Sequence, residues 1–305
     1  MIGVSRVFEP FRMFPVRVAR LARLSPSFLR VTFTGDELDV FADNGFDQRI
    51  KLFLPLPEHG LTHLPTGSDW FTRWRGLDES RRNPMRTYTA RLVRPQAREV
   101  DVDVVMHPDG GPVARWAETV RPGDQVVIYG PDSRYDGERP GGLEFHPPAG
   151  TGVVLIAGDE TAVPAICAIL ERLPVGFEGE ALMEVPYEED FLEVETAASV
   201  KVSWLAREGG ERGSLLVPGV QAAADRLLPP LSPPASFDDV DVDAEELWEV
   251  PQEDVEAYEP LYAWLAGEAA VIKTLRRHLV AERGMDRRAV AFMGYWRHGR
   301  AENSG

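Results

Sequence analysis

"RTYTARLVRPQAREVDVDVVMH", residues 86–107, decides how the first half of the chain folds. Its second part alternates most cleanly: Val100, Val102 and Val104 share one face and Asp101 and Asp103 the other, the period of two of a strand with an apolar and a polar side. The same period upstream puts Arg86, Tyr88 and Ala90 on one face and Thr87, Thr89 and Arg91 on the other. The two arginines of "RTYTAR" are thereby assigned to opposite surfaces. An aromatic ring flanked by arginine and threonine suits a flat anionic ligand, because guanidinium pairs with phosphate as a fork while the ring covers an apolar plane. It equally suits an exposed strand carrying an ordinary cross-strand aromatic.

Around this stretch lie further short alternating segments. "FLRVTFTG" (28–35) aligns Leu29, Val31 and Phe33, and "RIKLFLP" (49–55) and "QVVIYGP" (125–131) follow the same pattern between Gly- and Pro-rich turns. With a single helical insertion, "PVARWAETV" (112–120), they predict an antiparallel barrel. After about residue 150 the pattern changes. "TGVVLIAG" is a continuous apolar run, followed by the helix-like "TAVPAICAILERL", the strands "EALMEV" and "VKVSWLA", the helix "VQAAADRLL", the strand "YAWLAG", the helix "EAAVIKTLRRHLVAERG" and the strand "RAVAFMGYW". Such alternation predicts an α/β domain whose parallel sheet is covered on both faces. The boundary falls in "GERPGGLEFHPPAGTG", which gives domains of 1–148 and 149–305.

The bulk properties bound the function. The 305 residues are 44% hydrophobic and 27% charged, as in a globular protein, and no apolar run has signal-peptide or membrane-spanning length, so a cytoplasmic protein without membrane insertion is expected. The lone cysteine, Cys167, sits at helical spacing among apolar residues and is expected in the core. The six histidines include no HxxxH pair on a predicted helix, and no bound metal is expected. A formal charge of -16 argues against nucleic acid as a partner. Much of it comes from residues 236–259, with eleven acidic and no basic side chains, inside an insertion at about 229–259. That insertion reads as a solvated segment or as a docking site for a basic partner.

Three further motifs carry chemistry. In "MHPDGGPVARWAETV", Gly110 and Gly111 let the backbone approach a ligand and Pro112 suits a first helical position, so the amides beyond it form a phosphate cradle without a Walker lysine. "LIAGDETAVPAI" has the strand–turn–helix context of a dinucleotide site but lacks GxGxxG, and its Asp159 and Glu160 would repel a pyrophosphate. The turn admits a nicotinamide transiently, places Glu160 and Thr161 near a flavin edge, or simply uses Asp159 as a helix cap. In "WLAREGGERG", Arg207 and Arg212 follow a strand, where they could meet a 2′-phosphate or be ordinary loop arginines.

"RTYTAR", "HPDGGPVARWAE", "RPGDQVVIYGP", "LIAGDETAVPAI", "WLAREG", "YAWLAGEAAVIKTLRRHL" and "GYWRHG" together resemble, in order and spacing along nearly the whole chain, the siderophore-interacting proteins, which are ferric-siderophore reductases within the ferredoxin-reductase-like flavoproteins. The resemblance implies a six-stranded antiparallel Greek-key β-barrel that binds FAD noncovalently, followed by an α/β parallel-sheet domain for NADH or NADPH. By that resemblance Arg86, Tyr88 and Thr89 contact the flavin, and Val104, Met106 and His107 line its ribityl and ring edge. Gly111, Pro112, Val113 and Ala114 form the phosphate turn, Asp159, Glu160 and Thr161 the mouth of the nicotinamide site, and Tyr295 and Trp296 lie near the isoalloxazine. Val113 and Ala114 stand where the family often has Ala-Ser, so a hydroxyl toward phosphate is missing. The implied reaction passes a hydride from NAD(P)H to FAD and then single electrons to iron(III), releasing ferrous iron. Lys51, Arg134 and Arg297 are expected in a basic ring that receives an anionic ferric siderophore. A flavoprotein reduced by ferredoxin, or a non-catalytic siderophore-binding module, remains as an alternative.

Overall fold

The computed structural model describes residues 8–106, 111–138, 141–228, 247–251 and 261–299. The chain divides into two compact units, the first ending at Gly142 and the second comprising Leu143 onward together with Ser25–Ser27.

In the first unit the strands are β1 (Phe11–Arg23), β2 (Phe28–Thr34), β3 (Arg49–Phe53), β4 (Met85–Thr89), β5 (Leu92–Arg94), β6 (Glu99–Val105) and β7 (Gln125–Pro131). They form one sheet in the order β4-β3-β7-β1-β2-β6-β5, every pair antiparallel. Seven strands are assigned where six are expected, because the single strand read over "RTYTARLV" breaks in two at Ala90–Arg91. Its halves are the two edges of the sheet, β4 pairing β3 and β5 pairing β6, so the sheet curls until its ends belong to one stretch of chain. Ala90 and Val93 are both buried in the interior cluster with Val100, Val102, Val104, Phe33 and Ile50. Arg91 instead reaches Asp103 and Leu92 is exposed, so two successive side chains point outward and the alternation shifts by one residue.

The strand β1 is absent from the sequence reading, where Pro15 and scattered arginines hide it. Pro15 lies in the part of β1 that pairs only with β7, where a missing N–H interrupts no second ladder. A second helix, α1 (Trp70–Arg75), also corrects the expectation of a single helical insertion; α2 (Pro112–Ala117) is the one foreseen. Trp70 and Trp74 of α1 pack with Phe53, Met85 and Val127 against the outer face of the sheet.

The polar side of β6 is not solvated. Asp101 and Asp103 are buried, because Arg30 and Arg94 each make a two-pronged bond, Arg30 to Asp103 at 2.7 and 2.8 Å and Arg94 to Asp101 at 2.9 and 2.7 Å, while the Thr32 hydroxyl donates to Asp101. Arg20 and Arg94 extend this ladder to Glu99, and the Arg20 hydrogen bond is the main reason its carboxyl is lowered to about 2. That pairing therefore adds stability above the unfolded value near 4.5 and loses it as pH falls through about 2.

The second unit contains β8 (Val153–Gly158), β9 (Glu178–Val185), β10 (Ser199–Ala206), β11 (Trp248–Glu249), β12 (Leu261–Glu268) and β13 (Val290–Trp296), ordered β10-β9-β8-β12-β13-β11. All neighbours are parallel except β11, which runs antiparallel to β13. Helices α4 (Leu216–Leu227) and α5 (Ala269–Arg276) pack on Leu155, Ala157, Ala263, Leu265 and Phe292. Helix α3 (Val163–Arg172) covers the other face, where a Cβ on Gly158 would lie 2.5 Å from that of Ala162 and 3.2 Å from Ile166. Cys167 is buried in α3. Most of the acidic insertion lies outside the described residues; within 247–251, β11 is built into the sheet. Among the described residues no helix is long and apolar enough to cross a membrane.

Replacing Arg94 by Met would strand the buried Asp101 carboxylate and should lower the unfolding free energy in urea by about 3 kcal/mol. A loss below about 0.5 kcal/mol, the size of a surface effect, would contradict a buried pair.

Candidate functional site

In the first unit, cross-strand register settles which way the "RTYT" side chains face. Arg86 pairs with Leu52 and Tyr88 with Ile50, both interior residues, so Arg86 and Tyr88 share the concave side of the sheet. Tyr88 is half-buried against the interior cluster together with Met106 and Trp116. Arg86 donates to its neighbour Met85 O at 2.7 Å and lies against Gly111, at whose position a Cβ would come within 3.8 Å of Nε. Gly111 precedes α2, whose internal ladder begins with Arg115 N–H donating to Gly111 O, so the amides of Val113 and Ala114 come before any intrahelical partner. Arg86, Gly111 and the first turn of α2 thus form a cationic corner beside the Tyr88 ring.

Other expected residues sit differently. Thr89 is buried on the opposite face, and Val104 is fully buried, so only its backbone can line a site. His107 lies outside the described residues. Lys51 shares the outer face with Thr87, to whose hydroxyl its Nζ donates at 2.7 Å. Arg134 is not an open member of a basic ring: its fork closes on Asp132 at 2.9 and 2.6 Å. Burial alone would raise the Asp132 carboxyl, but the Arg134 hydrogen bonds hold it below its ordinary value. Arg297 is half-buried just beyond β13.

In the second unit, the carboxyl ends of β8, β9, β10, β12 and β13 meet in a polar network, at the end of the sheet where open α/β folds take their ligands. Asp159 accepts from Thr161 N at 2.9 Å, Thr161 Oγ1 at 2.5 Å, Glu268 N at 2.7 Å and Trp296 Nε1 at 2.9 Å. A Cβ on Gly267 would lie 2.7 Å from its Oδ2, and the φ of +150° at that glycine lets β12 pass so close. Burial first, then the Glu160 charge, raises the Asp159 carboxyl to about 6 against the opposing Thr161 and Trp296 hydrogen bonds. Asp159 is thus a tie between strands, and the α3 cap position is Ala162.

Glu160 is fully buried and receives both prongs of Arg207, at 2.8 and 2.7 Å. This corrects two expectations: Glu160 is neutralised from within, and the Arg207 fork is taken, leaving it unsuited to a 2′-phosphate. Arg212 stays more open, its guanidinium 4.8 Å above the Trp296 ring and its Nε 3.8 Å from Glu160. Tyr295 and Trp296 leave β13 on opposite faces, Trp296 toward Asp159 and Tyr295 toward Trp264 and Trp248. Sequence reasoning missed Glu184 and Glu268. Glu184 is fully buried and accepts from the amides of Gly213, Leu215 and Leu216, and Glu268 caps α5 through the amides of Ala270 and Val271. A charged residue ending an apolar run directly before a turn or helix was the available signal.

A family profile for the siderophore-interacting FAD-binding domain matches residues 17–135, and one for the siderophore-interacting protein matches 152–299. The chain belongs to the siderophore-interacting protein family. Among relatives of this family, the ferric vibriobactin reductase ViuB of Vibrio cholerae is 29% identical over 97% of this chain and 94% of its own. The NADPH-dependent ferric-chelate reductase of Escherichia coli is 28% identical over 96% of each chain. The crystal structure of the siderophore-interacting protein SipS from Aeromonas hydrophila superposes with a TM-score of 0.68 at 29% identity, covering 96% of this chain and 94% of that one. The residues present in this family member fit FAD: the space kept open at Gly111 beside Arg86 suits a diphosphate, and the half-buried Tyr88 ring suits an apolar plane.

If Asp159 ionises as its surroundings dictate, the indole N–H resonance of Trp296 should titrate with a midpoint near pH 6. Because the folded pKa lies above the unfolded 3.8, protonation favours the fold, and Asp159 should lower stability as pH rises from about 4 to 6. Asp159→Asn should abolish the titration; a flat Trp296 signal from pH 4.5 to 8 in the unsubstituted protein would contradict the assignment.

Proposed function

We propose that this protein reduces ferric siderophores, with NADPH or NADH as donor and FAD held at the Arg86–Gly111 corner. The observation that carries the reading is the convergence of the Arg86 guanidinium, the Gly111 opening and the leading amides of α2 beside the Tyr88 ring. Relatives named as ferric reductases, matched along nearly their whole length, support the same activity. When bound, FAD supplies the conversion of a two-electron nicotinamide donor into one-electron delivery to iron(III). Arg86 and the amides of Val113 and Ala114 neutralise and orient its diphosphate, and Tyr88 and Met106 offer apolar surface to the rest. Without a hydroxyl at 113 or 114, that grip relies on the main chain and Arg86. Trp296, at the end of β13, serves the Asp159 network of the second unit.

Lys51 is the first-unit cation we assign to the anionic chelate, with Arg134 dropped because Asp132 holds it. The overall acidity does not oppose this. Residues 1–142 hold twenty Lys and Arg against nineteen Asp and Glu, whereas the remainder holds thirteen against thirty. At physiological salt charges are screened beyond about 8 Å, so the near-neutral first unit presents its own local field. The internal neutralisation of Glu160 by Arg207 also removes one source of the repulsion that left a ferredoxin donor open as an alternative.

The purified protein loaded with FAD should be yellow, and anaerobic NADPH or NADH should bleach it. Adding a ferric catecholate should then restore the colour while a ferrous-specific chelator captures iron. Bleaching by reduced ferredoxin alone would replace the donor in this reading, and chelate binding without any flavin turnover would refute the enzymatic function.

A further inference from the structure

On the outer face of the first unit, two neighbouring rows of side chains cross β3, β4 and β7. In one row Phe53 pairs in register with Met85 and with Val127, and all three are buried with Trp70 and Trp74 of α1. In the next row, two residues away on each strand and therefore on the same face, Lys51 pairs with Thr87 and with Tyr129, and all three are partly exposed. The face thus changes within one row from closed apolar core to a half-open strip that holds a cation, a hydroxyl and an aromatic ring.

That ring is held in a defined attitude. The buried Trp70 lies against Tyr129 with centroids 4.8 Å apart and planes inclined by 54°, and Phe11 lies 5.4 Å from it at 39°. Phe11 is in turn confined by Gly142, where a Cβ would come within 3.0 Å of its Cζ and where a φ of +75° suits glycine. On the other side of Lys51, the Thr87 hydroxyl accepts from Nζ at 2.7 Å and fixes where the ammonium stands. Directly opposed residues of an antiparallel pair lie about 5 Å apart, so a charge and a ring face are offered side by side.

A ligand that uses both at once carries anionic oxygen directly on an aromatic ring. A ferric catecholate or phenolate does so: its ring can pack on Tyr129 and Phe11 while its oxygens meet Lys51. A hydroxamate or citrate chelate offers oxygens on aliphatic arms and gains only the charge. We propose that Tyr129, set beside Lys51, receives an aryl ring of the ferric chelate and so selects catecholate- and phenolate-type siderophores over hydroxamates and citrate. This rests on the assignment of Lys51 to the chelate above, and it makes the half-open row a specificity-determining site.

The test uses the full-length, FAD-loaded protein and three ferric chelates: an anionic tris-catecholate, an anionic citrate and a neutral tris-hydroxamate. The KM and kcat of anaerobic NADPH-driven iron release are measured for each. In parallel, calorimetry gives the dissociation constants of the corresponding gallium(III) chelates, which bind without being reduced. Tyr129→Leu should raise the catecholate KM and gallium-catecholate Kd, relative to the hydroxamate values, by about two- to tenfold, and Tyr129→Phe should restore them. Lys51→Met should weaken catecholate and citrate together, relative to hydroxamate. An equal change for all three chelates in Tyr129→Leu, or none, would overturn the selection. Unaltered catecholate binding in Lys51→Met would place the chelate elsewhere and overturn it as well. If NADPH bleaches the flavin but no chelate is reduced, the reductase reading fails, while the gallium titrations still decide whether Tyr129 selects aryl chelates. Should Tyr129→Leu not fold, Phe11→Leu removes the supporting ring and should shift the same ratio in the same direction; an unchanged ratio there would overturn the role.

Discussion

At Ala90–Arg91 the strand that begins at Met85 shifts its side-chain alternation by one residue, and the first unit takes its form from that shift. Before it, Arg86 and Tyr88 face the concave side and Lys51 and Thr87 the outer side. After it, Val93 returns to the interior and Arg91 and Arg94 join the carboxylates of β6 on the outside. One short motif thereby supplies a cation to a candidate cofactor corner and another to a structural ion-pair ladder. Regular alternation through the break would have turned Val93 outward and buried Leu92, leaving the sheet without a matched closing edge.

The second unit applies a different constraint. Its carboxyl-terminal strand ends are crowded with acidic side chains, yet each is answered internally: Asp159 by four donors, Glu160 by Arg207, Glu184 by the amides leading into α4, and Glu268 by those opening α5. Buried charges of this kind persist only when their hydrogen bonds are filled, so the network fixes the relative heights of the strand ends instead of offering open charge. At the end of β13 the two faces differ: Arg212 lies over Trp296 on one, and Tyr295 packs against Trp248 and Trp264 on the other.

Much of this was legible in advance because period-two and strand–helix alternation are local signals. The β6 valines, the β2 face and the α3, α4 and α5 helices all lie where their patterns put them. The rest depended on partners distant in sequence. The polar face of β6 looked solvated because Arg30 and Arg94, which bury it, belong to other strands. Arg207 and Arg134 looked available because Glu160 and Asp132 are joined to them only by folding or by a tight turn. Within the acidic run, the four residues "LWEV" carried no periodicity long enough to mark an edge strand; its buried counter-ion, Arg276, lies on another element.

The division of labour between the two arginines of "RTYTAR" is tested most directly by measuring, for Arg86→Ala and Arg91→Ala side by side, FAD affinity of the apoprotein and unfolding in urea. The structure predicts that losing the first guanidinium releases the cofactor while stability changes little, and that losing the second costs about 1–3 kcal/mol of stability with affinity retained. Undiminished FAD binding in Arg86→Ala, or cofactor loss confined to Arg91→Ala, would contradict it.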